Sequence, residues 1–313
     1  MILSDLLAKF PGTPVSDPDG VRVHCPAHAD SHESLRITVS ASGKVLMKCR
    51  AGCKTLDVLH SIGLTSRDLA TMEPGEFEFA SAVSTTAPAS AAHVAALAVR
   101  LDQYASDEDG TDTPTRTYPA YAYAEERFGL DLDAFTRLGL GLADDLGGGP
   151  RLVVPFRDPD GVARGFQARA LTPDAAVRWL GPKSPEGASW SRTAWFPGSS
   201  GWEEVLIAEG PGDGLTACAL GYDTIAIRGT GLFASEVVAD QVATWLGDRV
   251  AVVAADGDQS GRRASAQLAE ALVARGKRAK ILPVPDGEDL TSWRENAGAK
   301  FATDVIRAIV AAE

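Results

Sequence analysis

The chain of 313 residues has only four cysteines. Nowhere does it run for eighteen apolar residues, so no helical membrane span is expected. It also shows no targeting segment, and the cytoplasm of a bacterial host is the expected location. Three of the cysteines fall within the first 53 residues. An odd set cannot pair evenly, which argues against a disulfide framework. Positive charge is in short supply: 30 Lys and Arg stand against 42 Asp and Glu, for a formal net charge of −12. That balance looks wrong for a protein that neutralises phosphates, but the deficit is local. Residues 1–75 carry eight basic and eight acidic side chains, 76–150 four and thirteen, and 151–313 eighteen and twenty-one. The excess acid is therefore concentrated in the middle, where it reads as solvated surface. Basic groups persist at Lys44, Lys48, Arg50 and Lys54, and again at Arg164, Arg169, Arg178 and Lys183.

What is present is acid placed where apolar strands end. Val205 to Ala208 runs into Glu209-Gly210, and Val250 to Ala255 into Asp256-Gly257-Asp258. Continuous apolar runs bounded by glycine read as strands buried on both faces of a parallel sheet. Carboxylates at the carboxyl ends of such strands stand in the crevice where α/β sheets bind ligands. A single strand ending in Asp-Gly is ordinarily just a turn. Here there are two, each followed by a helical run, Gly214 to Leu220 and Arg262 to Arg275, closed by Gly221 and Gly276. A third acidic segment, Asp286-Gly287-Glu288-Asp289, follows the apolar stretch Ala279 to Pro285. Glu209, Asp256 and Asp258 have no basic neighbour beside them in sequence and would repel one another without a cation between them. Hard oxygen ligands of this kind suit Mg²⁺ or Mn²⁺ together with substrate phosphates.

The cysteines form a second pattern. Cys25-Pro-Ala-His28 and Cys49-Arg-Ala-Gly-Cys53 are two close ligand pairs separated by about twenty residues, the spacing of a structural zinc site. His24 and His32 compete as nitrogen ligands, but the two-residue gap favours His28. Between the pairs, Leu35 to Val39 and Lys44 to Lys48 read as a hairpin turning at Ser40 to Gly43, so the segment is expected to be a zinc ribbon. So small a core would take much of its folding free energy from the metal. Cys218 lies on the helix after Glu209 and reads as a small buried residue.

In the middle of the chain, residues 80–92 are rich in Ala, Ser, Thr and Pro and read as linker; 93–105 has the character of a short helix. Residues 106–116 are a second, acidic loop. Ala120 to Phe128 and Asp131 to Leu138 then read as helices, the second with an acidic cap. Leu152 to Phe156 and Ala163 to Leu171 form a hairpin around Asp158-Pro-Asp-Gly161.

The motifs Glu209-Gly-Pro-Gly-Asp213, Asp256-Gly-Asp258-Gln-Ser-Gly261 and the segment ending at Asp289 resemble the three motifs of the Toprim domain. That domain is shared by DnaG-type primases, topoisomerases, OLD-family nucleases and RecR-like mediators. The Cys-His-Cys-Cys ribbon resembles the N-terminal domain of DnaG-type primases. Its Cys-x-Ala-Gly-Cys pair, one residue longer than is usual in the bacterial enzymes, is more similar to the phage and plasmid branch. The hairpin with Gly165 to Arg169 and Lys183-Ser-Pro185 resembles the N-terminal half of the primase core, an element not expected in a topoisomerase or a RecR-like protein. The expected fold is α/β: a zinc ribbon over 1–75, a flexible acidic linker over 76–116, and an α+β primase subdomain over 117–200. A Toprim parallel-sheet subdomain over 201–300 and a C-terminal helix over 301–313 complete it.

The resemblance implies RNA primer synthesis on single-stranded DNA from NTPs. Glu209, Asp256 and Asp258, with Asp289 or else Asp286 and Glu288 completing the set, would hold Mg²⁺ or Mn²⁺. Zn²⁺ at Cys25, His28, Cys49 and Cys53 would be structural. Arg169 and Lys183 would contact triphosphate or template, Asp213 would orient the loop, and Gly210 and Gly261 would admit backbone and phosphate at close range. DNA binding would be weak and salt-sensitive. A separate replicative helicase is the expected partner. The alternatives are a Toprim nuclease, or a RecR-like mediator that binds DNA without catalysis. The five tyrosines have no domain around them of the kind a topoisomerase nucleophile needs.

Overall fold

The computed structural model describes residues 6–7, 9–11, 15–17, 20–30, 32–39, 45–65, 87–106, 115–173, 175, 177–185 and 188–312. The chain divides into two compact units, Met1–Thr85 and Thr86–Glu313. The turn expected over 40–43, residues 80–86 of the linker stretch expected over 80–92 and residues 107–114 of the acidic loop expected over 106–116 lie outside the described residues.

In the first unit, β1 (Val15–Asp17), β2 (Gly20–Val23), β3 (Leu35–Val39) and β4 (Val45–Cys49) form an antiparallel sheet in that order. Leu35 pairs with Cys49 and Val39 with Val45, so the hairpin is present and its second strand runs on through the ligand Cys49. Helix α1 (Thr55–Ser61) follows Cys53 and buries Val58 and Leu59 against Leu35, Ile37 and Val45.

The second unit opens with the short strand β5 (Ala87–Pro88) and helix α2 (Ala91–Ala105), whose first turn is capped by the Ser90 hydroxyl. Leu97 and Leu101 are buried among Val153, Phe166 and Ala168. This helix falls inside the span expected to be linker over 76–116. Its two leucines, four residues apart on one face, anchor it to the core instead.

Helix α3 (Tyr118–Phe128) ends at left-handed Gly129, and α4 (Leu132–Arg137) is capped by Asp131, which accepts from Ala134 N at 2.7 Å. Then comes an antiparallel sheet of β6 (Gly141–Ala143), β7 (Arg151–Arg157), β8 (Ala163–Ala170) and β9 (Trp179–Leu180) in sequential order. The β7–β8 turn is closed by Asp158, whose carboxylate accepts from Val162 N at 2.9 Å. A two-residue strand, β10 (Ala188–Ser189), pairs in parallel with β5.

The remaining sheet has the order β11-β13-β12-β14-β15, from β11 (Thr193–Phe196), β12 (Glu204–Glu209), β13 (Asp223–Ile227), β14 (Val250–Ala254) and β15 (Arg278–Ile281). β12 to β15 run parallel, and β11 is antiparallel to β13. Helices α5 (Pro211–Ala219), α6 (Glu236–Leu246), α7 (Gln259–Ala274), α8 (Leu290–Ala297) and α9 (Phe301–Ala311) connect and cover it. The two-residue period of a strand explains why both faces are apolar. Val205 and Ile207 pack with α6 and α7, and Leu206 and Ala208 with Trp293 of α8 and Val305 of α9. The C-terminal helix is thus part of this layer. Leu152, Phe156, Phe196, Leu215 and Ala226 share one buried cluster that joins the two sheets into a single core. Cys218 is buried there too, as its sequence position suggested.

The packing of α2 is tested by Leu101→Ala, which should lower stability by about 3 kcal/mol through transfer and cavity costs. Val99→Ala, at a position 60% exposed on the same helix, should change it by less than about 0.5 kcal/mol. Urea unfolding of the two variants measures both; equal effects would mean that the helix is not packed.

Candidate functional site

The cysteine pattern closes into a cluster. One ligand atom each from Cys25, His28, Cys49 and Cys53 lies within 4.8 Å of all the others, and this set could hold a metal ion. His28 turns Nδ1 toward the thiols, 3.4 Å from Cys53 Sγ and 3.9 Å from Cys49 Sγ. Its Nε2 faces Asp30 Oδ1 at 3.5 Å. A carboxylate behind a ligating imidazole fixes the ring and raises its basicity. Asp30 itself is held by Cys25 N at 2.6 Å and Ser34 Oγ at 2.7 Å. Burial works against its charge, but the hydrogen bonds from Cys25, Ser34 and His32 outweigh it and hold the carboxyl well below the usual range. Spacing alone did not single out Asp30. Burial pushes the Cys25 thiol up to about 12, whereas Cys49 is drawn down to about 7 because N–H and hydroxyl donors outweigh its burial. His24 faces Glu33 at 3.6 Å, outside the cluster.

In the second unit the acids gather at the carboxyl edge of the parallel sheet. Glu209 ends β12; Thr230 Oγ1 donates to its Oε1, while Oε2 is buried without a hydrogen-bond partner. Asp256 follows β14. Burial and then the charges of Glu209, Asp289 and Asp258 push its carboxyl up to about 7. Asp256 therefore lies within the field of the other three, although among the described residues the four do not converge as the Cys-His set does. Asp258 caps α7, accepting from Gly261 N at 2.6 Å. Asp289 caps α8, accepting from Ser292 N at 2.6 Å in a reciprocal capping box. Of the other members of the third acidic segment, Asp286 pairs with Arg262 at 2.8 Å and Glu288 Oε1 accepts from Asn296 at 3.0 Å.

Asp213 is buried on α5 and bonded to Thr291, its Oδ1 accepting from the backbone N at 3.0 Å and from Oγ1 at 2.8 Å. Desolvation, followed by the Asp289 charge, pushes it up to about 8. Gly210 has φ +97°, a region closed to most side chains, and lets β12 turn into α5. Gly261 is required by a close approach of backbone: a Cβ there would run into the Asp256 carbonyl oxygen.

Arg169 donates from Nε to Tyr123 Oη at 3.0 Å and lies over the Trp179 ring at 5.6 Å. Trp179 in turn borders Gly212 at the start of α5. Lys183 is exposed, and its carbonyl accepts from Trp190 Nε1 at 3.0 Å. Thr230 and Thr291 were missed by sequence reasoning; a lone threonine in a loop or first helical turn carries no signal of its own.

Two outcomes follow. Asp30→Ala should weaken metal affinity of the ribbon by about 10–100-fold, measured by chelator competition; an unchanged affinity would remove Asp30 from the site. Asp256 and Asp213 bind protons at about 7 and about 8, well above an unfolded aspartate. Between about pH 4 and pH 8 the folded chain thus binds more protons than the unfolded one, and stability without added divalent cation falls as pH rises. Asp256→Asn and Asp213→Asn should each flatten that slope in urea denaturation between pH 5 and pH 8, and a slope unchanged in both would contradict it.

Residues 204–300 match the family model of the Toprim domain. A comparison with curated protein sequences returned no match. Among solved structures, the chain is similar to the zinc-binding and RNA polymerase domains of the Aquifex aeolicus primase. The identity is 16% and the TM-score 0.54, over 100% of this chain and 83% of that one. It is also similar to a DNA primase domain from Pseudomonas aeruginosa, at 20% identity and TM-score 0.50 over 70% of this chain and 78% of that one. The Escherichia coli primase catalytic core matches at 18% identity and TM-score 0.50, over 68% and 79% of the two chains. Residues 204–300 are therefore a Toprim domain, set within the fold of the zinc-binding and RNA polymerase domains of DnaG-type primases.

Proposed function

We propose that the chain makes short RNA primers on single-stranded DNA by metal-dependent nucleotidyl transfer during replication. The observation that carries this reading is the joint core of the two sheets. The antiparallel β6–β9 sheet and the Toprim sheet share one buried cluster, so the acidic edge comes with a polymerase-type subdomain attached. A nuclease or a RecR-like mediator has no need of that subdomain.

On this reading Glu209, Asp256, Asp258 and Asp289 hold Mg²⁺ or Mn²⁺. The buried, unpartnered Glu209 Oε2 and the crowding of Asp256 by three like charges fit a cation there. The metal, when bound, neutralises the triphosphate and lowers the pKa of the attacking 3′-hydroxyl. Thr230 holds Glu209 by one oxygen and leaves the other for ligation. Asp213 is a positioning residue: through Thr291 it fixes the start of α8, and with it Asp289, against α5. Arg169 and Lys183 are candidates for phosphate contacts of template or triphosphate.

Zn²⁺ at Cys25, His28, Cys49 and Cys53 is structural, because all four positions of a tetrahedron are filled by protein. The ribbon, with Lys48, Arg50 and Lys54 beside its ligands, reads the single-stranded template. NTPs are the substrates, a separate replicative helicase that exposes the template is the partner, and a bacterial cytoplasm is the setting. No helix among the described residues is long and apolar enough to cross a membrane. The Cys49–Cys53 spacing supports membership of the phage and plasmid branch.

With NTPs, Mg²⁺ or Mn²⁺ and a panel of single-stranded templates, the protein should yield short RNAs. Asp256→Ala should reduce product by at least about a thousandfold while circular dichroism and zinc content stay unchanged. Nicking of duplex DNA without primer synthesis would replace the reading by a nuclease. DNA binding that survives loss of Asp256 and Asp258, with no product on any template, would replace it by a mediator.

A further inference from the structure

Three helices meet beside the acidic edge, and the contact that closes them on one another has had no role so far. Phe128, the last residue of α3, borders Gly212 at the start of α5, where an added Cβ would come within 3.3 Å of its ring. On α5, Asp213 accepts from Thr291 of α8. From α8, Arg294 reaches back to α3: its Nη1 donates to the carbonyls of Glu126 at 2.9 Å and Arg127 at 3.4 Å. Arg127 returns the contact by pairing with Glu295. α3, α5 and α8 thus form a closed triangle.

The carbonyls at the end of α3 show why a guanidinium stands there. The last carbonyls of a helix have no partner inside it. Here Gly129 N takes the Glu125 carbonyl at 3.0 Å, and Leu130 N turns back to Ala124 at 3.5 Å. Glu126 and Arg127 are served by Arg294, which also brings positive charge to the negative end of the helix dipole. Gly129 makes room for it: a Cβ there would stand 2.5 Å from Arg294 Nε. Glycine is needed at this position twice, for a left-handed φ of +78° and for the approach of the arginine.

The consequence is carried by α8. Asp289 is its N-cap, in the reciprocal box with Ser292, so the carboxylate moves with the helix. Its charge acts on both Asp256 and Asp213. The bonds from Thr291 to Asp213 fix α8 near its first turn only. Leu290 and Trp293 are buried, but apolar packing is not directional. A helix tied at one point pivots about it. Arg294 lies three residues beyond Thr291, about 4.5 Å along the axis, and supplies the second fixed point.

We propose that Arg294 is a positioning residue for the carboxylate site: by clamping the end of α3 it fixes the angle of α8, and so the place of Asp289. The proposal rests on the polymerising reading for what the site does with its cation, and on geometry alone for the clamp.

The test uses the zinc-loaded full chain, with Mn²⁺ as the probe followed by electron paramagnetic resonance, and primer synthesis over a Mg²⁺ series. Arg294→Gln removes the clamp from α8, and Gly129→Ala evicts it from the α3 side without altering Arg294. Gly161→Ala is the control: it imposes the same left-handed strain, at φ +80°, with nothing within 4 Å to displace. Arg294→Gln and Gly129→Ala should each weaken Mn²⁺ binding by about tenfold or more, as loss of a group that orients a ligand does. Arg294→Lys, which keeps a cation at the end of α3, should lose less. The Mg²⁺ concentration for half-maximal synthesis should rise by a similar factor, with kcat at saturating Mg²⁺ within about threefold of wild type. Gly161→Ala should lower stability and leave Mn²⁺ binding within about twofold. Mn²⁺ affinity unchanged in both Arg294→Gln and Gly129→Ala overturns the proposal. So does equal weakening in Gly161→Ala, which would make the effect one of general stability. Arg294-dependent Mn²⁺ binding by a chain that makes no primer sinks the primase reading and leaves the clamp standing.

Discussion

Mutual repulsion among carboxylates at one end of a parallel sheet is the constraint around which the second unit is organised. Glu209, Asp256, Asp258, Asp289 and Asp213 come from three separate loop–helix junctions, and burial makes the charges of Asp256 and Asp213 harder to carry. Two kinds of force hold them together in spite of this. The first is the pair of apolar layers on the two faces of the sheet, from Val205 and Ile207 on one side and Leu206 and Ala208 on the other. The second is a set of hydrogen bonds that lock the junctions to one another. Gly257 N donates to the Glu288 carbonyl at 2.7 Å, Gly287 N returns to the Gly257 carbonyl at 3.0 Å, and Thr291 binds Asp213. The acids themselves contribute little to stability beyond their helix caps. They are groups the fold restrains, which is the usual relation between a scaffold and a site that needs concentrated charge.

Features that were legible in the sequence are those carried by a single run of chain. The strand ends at Glu209 and Asp256 could be read because apolar runs stop there, and a doubly buried strand has no other place for a carboxylate. The ribbon could be read because zinc geometry constrains spacing within each ligand pair. Helix α2 was legible as a short helix over 93–105 but stood within a span read as linker, because its surroundings are polar and only Leu97 and Leu101 of its face are buried. Asp30, Thr230 and Thr291 were not legible for a different reason. Asp30 acts through His28 and Ser34, Thr230 through Glu209 twenty-one residues away, and Thr291 through Asp213 seventy-eight residues away. A polar residue whose partner lies on another element leaves no periodic or spacing signal.

One device recurs across both units. Glu209 gives one oxygen to Thr230, Asp258 one to Gly261 N, and Asp289 one to Ser292 N. Asp30 is anchored by Cys25 N and Ser34 through Oδ2 and meets His28 through Oδ1. In each case one oxygen is tied to the protein and fixes the direction of the other. A carboxylate so tied offers a cation a single oxygen, which suits a small ion that keeps part of its water shell and takes the rest of its ligands from phosphates. It also limits how far the acids can swing apart when no cation is between them.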